Sequence, residues 1–215
     1  PSQEVVREDV ERLAQATGDW AKVVTTYQSA IEGSGDDDAI ELRMNLGAVF
    51  RRVEKVEEAI GQYRAVYDAR PEHREAIAAL AELYQETEKY DELMGVFERR
   101  MELEEDPEQR RQTAYQRASL METKLGDADA AIKAYNDILG EYGHTEVDAF
   151  RALDSLYESE ERFEDLAATL ERRIELGPDS DEELASLKFR LGAAMEKNLG
   201  DKVRAVGLYR EVLTL

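Results

Sequence analysis

A large apolar residue returns along the chain at Tyr27, Tyr63, Phe97, Tyr135, Leu170 and Tyr209, at intervals of 36, 34, 38, 35 and 39 residues. Four residues ahead of each stands another apolar residue: Val23, Ala59, Leu93, Ala131, Leu166 and Ala205. Six copies in register are a repeat, and a period of ~20–50 residues marks a chain of stacked units. In such a chain a single unit cannot bury its apolar face alone and covers it with the next one.

Each unit reads as two helices. In the third, Ile77, Leu80, Ala81 and Tyr84 fall at i, i+3, i+4 and i+7, which is one face of a helix. After the break Glu86-Thr87-Glu88-Lys89, the residues Leu93, Met94, Phe97 and Met101 give a second apolar face. Further breaks stand at Gly18-Asp19, Gly126-Asp127 and Gly200-Asp201. Glycine suits the left-handed position that ends a helix. The Asp after it can cap the following helix and favour its positive end. Pro71, Pro107 and Pro178 lie between units, where a helix must stop or restart. The short connections predict antiparallel hairpins. The expectation is an all-α array of about twelve helices, with units roughly at 2–35, 38–71, 73–106, 107–143, 145–178 and 180–215.

On these residues the chain resembles the tetratricopeptide repeat (TPR) family. That pattern has a Leu-Gly pair in the first helix, a Gly-Asp turn, Ala and an aromatic in the second helix, and a closing Pro. Leu46-Gly47, Phe50, Ala59, Tyr63 and Pro71 fit it in the second unit, and Leu191-Gly192, Gly200-Asp201, Ala205 and Tyr209 in the sixth. Trp20, Tyr90 and Phe163 fit the aromatic after the turn. The resemblance covers essentially the whole chain. It implies an α-solenoid, a right-handed superhelix of helix pairs whose first helices line a concave groove. It also implies a protein-interaction scaffold rather than a catalyst.

A longer period overlies the short one. The turn aromatic occurs only in odd units, 70 and 73 residues apart. Odd units place Val23, Leu93 and Leu166 where even units place Ala59, Ala131 and Ala205. The run Glu98-Arg99-Arg100-Met101-Glu102-Leu103 returns 73 residues later as Glu171-Arg172-Arg173-Ile174-Glu175-Leu176. The duplicated block is therefore two hairpins, and the alternation predicts unequal helix separations along the stack.

Composition narrows the chemistry. Asp and Glu number 49 against 28 Lys and Arg, a formal net charge of −21. That argues against nucleic acid, which needs a basic stripe, and against an anionic membrane surface. No apolar run approaches the ~20 residues of a spanning helix. There is no cysteine, which excludes disulfides, zinc–thiolate sites and a thiol nucleophile. The lack of cysteine and of a signal-peptide pattern favours the cytoplasm. The acid excess reads first as solubility and background composition, and second as a surface for a basic partner.

Few residues are candidates for catalysis. His73 and His144 lie one long period apart at starts of first helices, so they read as turn or capping elements. Asp36-Asp37-Asp38 lacks the alternating ligand pattern of a calcium loop and reads as linker and N-cap. Glu104-Glu105-Asp106 reads the same way. Gly33-Ser34-Gly35 is an inter-unit turn without the Lys-Ser/Thr of a phosphate loop. Arg100 and Arg173 occupy positions usually held by small residues, which predicts a partly buried pair with a carboxylate at each. No catalytic residue, cofactor or metal site is expected.

Mapping the family pattern places Met44, Arg51, Glu75, Glu82, Glu86, Tyr115, Glu122, Arg151, Glu158 and Phe189 on the groove lining. Glu75, Glu82 and Glu86 fall at i, i+7 and i+11 along one helical stripe. The lining suits a basic or mixed peptide, with Tyr115 and Phe189 as apolar anchors. The alternative is a structural spacer of a larger, bacterial-type repeat protein, contacting mainly its own neighbouring repeats. Leu208, Val212 and Leu213 close the sequence without a following unit. This predicts either a piece of a longer array or end-to-end self-association through the uncapped last unit.

Overall fold

The structure, a computed structural model, describes residues 9, 12–143 and 146–215. His144 and the first residues of the first unit lie outside them. Every regular element among the described residues is helical. Residues 12–17 are helical and precede α1 (Trp20–Glu32). Then come α2 (Asp36–Arg52), α3 (Val56–Ala69), α4 (Arg74–Glu86) and α5 (Tyr90–Leu103). The order continues with α6 (Pro107–Leu120), a π-turn (Met121–Leu125), α7 (Ala128–Tyr142), α8 (Val147–Ser159), α9 (Phe163–Leu176), α10 (Asp181–Lys197) and α11 (Lys202–Val212).

The chain forms two compact units, Pro1–Glu105 and Asp106–Leu215. Within each, consecutive helices pack on one another, α1 to α5 in the first and α6 to α11 in the second. The recurrent residues form their cores. Val23, Ala59, Leu93, Ala131, Leu166 and Ala205 are all buried, as are Tyr27, Tyr63, Phe97, Tyr135 and Leu170. Tyr209 is half-buried, and Val203, Val206 and Leu213 around it are exposed. In the second and sixth hairpins the helices approach closely. A Cβ on Gly47 would stand 2.7 Å from the Tyr63 ring, and one on Gly192 would stand 2.7 Å from the Tyr209 ring.

Each turn inside a hairpin passes through the left-handed region, but by two chemistries. Gly18, Gly126 and Gly200 adopt it with φ of 75°, 66° and 73°. In the second, third and fifth hairpins Glu54, Glu88 and Glu161 stand there instead, with φ of 60°, 56° and 55°. The strain is held by a Schellman closure. Lys55 N–H donates to the Phe50 carbonyl, Lys89 to Tyr84 and Arg162 to Tyr157, at 2.9, 2.9 and 2.8 Å.

The residue after the turn differs with the chemistry. Asp127 and Asp201 follow glycine and accept the N–H groups of Ala130 and Arg204 as N-caps. Asp19 makes no such bond. Lys89 and Arg162 follow glutamate and reach to the previous hairpin, where Lys89 pairs with Glu57 at 2.6 Å and Arg162 with Asp129 at 3.0 Å.

The remaining caps refine the sequence reading. His73 Nδ1 accepts the Ala76 N–H at 3.2 Å, so this histidine is the N-cap of α4. Asp106 caps α6, with Pro107 at its first position. Asp36, Asp37 and Asp38 are not the cap of α2. Gly35 holds that place and the three carboxylates form the first helical turn, facing the positive end of the dipole.

Candidate partner-binding faces

In the first unit the expected lining residues come from α2 and α4. Met44 packs against Ile40, Val66 and Ala76. Arg51 donates to Glu82 at 2.7 Å and lies 3.6 Å from Glu86. The hydrogen bond from Arg51 to Glu82 raises the guanidinium pKa further, against the effect of burial. Two of the three stripe carboxylates are thus tied to a cation of the preceding hairpin. Glu75 stays exposed, 3.3 Å from His73 Nδ1.

In the second unit Tyr115 on α6 donates its hydroxyl to Glu146 at 2.8 Å. Arg111, one turn earlier, donates to both oxygens of the same carboxylate at 3.1 and 2.9 Å. Glu146 is only 8% exposed, and these bonds compensate its burial. Burial and the adjacent carboxylate push the Tyr115 hydroxyl pKa well above its ordinary value. Glu122 accepts from Tyr135 at 2.8 Å, and the Tyr115 and Tyr135 rings lie 6.3 Å apart. Arg151 pairs with Asp148 on its own helix at 3.1 Å, both side chains largely in solvent.

A buried ionic chain joins the fifth and sixth hairpins. Asp154 on α8 is 2% exposed. Its Oδ2 accepts from Arg173 of α9 at 2.9 Å and from Arg190 of α10 at 2.7 Å. Arg173 continues to Glu183 at 3.1 Å and Arg190 to Glu158 at 2.9 Å. Burial pushes the Asp154 carboxyl pKa above its usual range in spite of both guanidiniums. Asp154 Oδ1 is buried with no hydrogen-bond partner among the described residues. Arg173 therefore has the carboxylate expected of it. Arg100 does not: no ion pair joins it among the described residues, because the position matching Asp154 one long period earlier is Ala81. Phe189 is 56% exposed, with its ring 5.6 Å from Tyr209.

Glu146, Asp154 and Arg190 escaped the sequence reading. A signal for Asp154 existed. It stands at i+4 in the apolar stripe Phe150, Leu153, Asp154, Tyr157, and a charge inside such a stripe needs a partner. No group of three metal-ligating side chains occurs among the described residues. No described helix is long and apolar enough to cross a membrane.

Residues 76–111 match the family model described as tetratricopeptide repeat. No curated protein matches the sequence. Among solved structures, the chain is similar to a MamA protein at 19% identity, over 81% of this chain and 90% of that one, with a TM-score of 0.46. A tetratricopeptide repeat protein from Parabacteroides merdae aligns at 18% identity over 100% of this chain and 79% of its own, with a TM-score of 0.45. YrrB, described as a TPR protein with an unusual peptide-binding site, aligns at 14% identity over 87% and 91%, with a TM-score of 0.46.

Proposed function

The chain is a tetratricopeptide-repeat protein, and from that premise we propose that it is a non-catalytic scaffold holding a basic segment of another protein against its first helices. The observation that carries this is where the cations go. Arg51, Lys89, Arg111, Arg162, Arg190 and Arg204 each bond to a carboxylate of an adjacent hairpin. Acid outnumbers base by 21, so many carboxylates have no internal cation. Glu75 in the first unit is exposed acid, and in the second unit Asp148 is exposed beside Arg151 and Phe189 is exposed apolar surface. A segment alternating Lys or Arg with large apolar residues complements that surface. The carboxylates draw it in, and the aromatics supply contact area at little entropic cost.

The test is anisotropy of a labelled peptide alternating Lys and Leu, titrated with wild type, Glu75→Lys and Phe189→Ala at two salt concentrations. Weaker binding by both variants, and by wild type in high salt, supports the reading. Equal binding by all three proteins removes it.

A spacer role is the second reading. It is favoured by one observation: Glu82, Glu86 and Glu158, all expected on the lining, are engaged by arginines of neighbouring hairpins. A spacer would bind the peptide with no dependence on which face is altered.

A further inference from the structure

The second unit contains a cavity of about 210 Å³ where α8, the end of α9 and the start of α10 meet. Val147, Phe150, Leu176, Pro178 and Leu187 give it apolar walls. Arg173 closes one side, but its charge is spent: Asp154 and Glu183 take its N–H groups, and its guanidinium lies 5.7 Å from the centre of the Phe150 ring. The carboxylates Asp179 and Glu183 also line the cavity, and Asp181 and Glu182 follow in the first turn of α10. Leu176 is 42% exposed, one of the few large apolar side chains left in water.

The chain contains its own comparison. One long period earlier, Val147 corresponds to Arg74 and Leu176-Gly177 to Leu103-Glu104. Arg74 lies across that junction, donating to the Leu103 carbonyl at 2.5 Å and pairing with Glu104 at 3.3 Å. In the later copy Val147 cannot reach across and Gly177 offers no carboxylate. The two exchanges together leave the junction open.

Size and charge choose the occupant. The volume falls below the ~300–1,000 Å³ of small-molecule sites. It suits one side chain rather than a cofactor. Glu183 is taken up by Arg173 and by the Asp179 N–H, which leaves Asp179 as the wall's negative charge with Asp181 and Glu182 beside it, and a second copy of a chain with net charge −21 is repelled at long range. We propose that this cavity receives one aliphatic or aromatic side chain from a basic segment of another protein, with Asp179, and Asp181 and Glu182 next to it, drawing in the Lys or Arg beside it. The cavity is walled in part by the first helices α8 and α10 but includes neither Glu75 nor Phe189, the residues altered in the test above, so the two readings fail separately.

The probes are three synthetic peptides, Gly-Ser-Lys-Phe-Lys-Ser-Gly and its Lys-Ala-Lys and Glu-Phe-Glu counterparts, titrated into methyl-labelled full chain. The first peptide should shift the methyls of Val147, Leu176 and Leu187 and the other two should not. Val147→Arg, which restores the closure made by Arg74, and Leu176→Ala, at an exposed position that does not threaten folding, should each weaken binding by about fivefold or more. Four results overturn the proposal: no binding of the first peptide, equal affinity in Leu176→Ala, shifts confined to other residues, or concentration-dependent dimerisation that Leu176→Ala abolishes.

Discussion

Asp154 accepts a hydrogen bond from Arg173 at 2.9 Å, whereas one long period earlier the positions that match this pair hold Ala81 and Arg100. The same arginine therefore recurs in two copies of one block, with its counter-charge in only one. Asp154→Ala removes the buried carboxylate between Arg173 and Arg190 and leaves each with a single, more exposed partner, Glu183 and Glu158. It should cost about 3–5 kcal/mol, the range for removing one partner of a buried pair. Urea unfolding monitored by circular dichroism measures this. A loss below about 1 kcal/mol would mean that water reaches the guanidiniums.

The same carboxylate gives an unusual pH dependence. Burial raises its folded pKa above the unfolded value of about 3.9. Between those two values the native state holds more protons than the unfolded chain. The contribution of Asp154 to stability therefore falls as pH rises through that window and is constant above it. Asp154→Asn removes the titration. Wild-type stability minus that of Asp154→Asn should decline from pH ~3.5 upward and then level off. A difference that rises with pH would show that the two arginines outweigh burial.

Glu54, Glu88 and Glu161 carry a left-handed backbone that costs a non-glycine residue roughly 1 kcal/mol. Each changed to Gly should raise stability by several tenths of a kcal/mol, the gain reduced by the extra freedom of glycine in the unfolded chain. Gly126→Ala and Gly200→Ala should each cost about 1 kcal/mol. No side chain crowds either position, so that cost is purely backbone. Shifts in urea midpoint at unchanged slope are the measurement.

Two classes of helical glycine should respond in opposite senses to the same substitution. Gly47→Ala and Gly192→Ala drive a methyl into the Tyr63 and Tyr209 rings and should destabilise by about 1–3 kcal/mol. Gly61→Ala and Gly95→Ala meet nothing within 4 Å and should stabilise by about 0.5–1 kcal/mol. Destabilisation at all four would indicate that α3 and α5 need flexibility rather than room.

The hairpins were legible because local rules carry them. The stripe of α4 is written at i, i+3, i+4 and i+7, and Gly126-Asp127 and Gly200-Asp201 name their own turns. Glu88 was not legible as a left-handed residue. Its conformation goes with the Lys89–Tyr84 closure at the end of α4, and a glutamate does not announce that turn as a glycine does. The lining residues were located by pattern, but their ionic partners were not. Arg51 finds Glu82 across 31 residues of chain, a distance set by how neighbouring hairpins cross. Asp154 needed no such information and could have been found from its own helix.

The arginine and lysine bonds between hairpins are short in sequence. Arg190 reaches Asp154 across 36 residues, Arg111 reaches Glu146 across 35, and each of these bonds joins one hairpin to the next. A gene that gains or loses one two-hairpin block by unequal recombination therefore disturbs bonds only at the seam. Selection could lengthen or shorten such an array without rebuilding the adhesion of any retained neighbours.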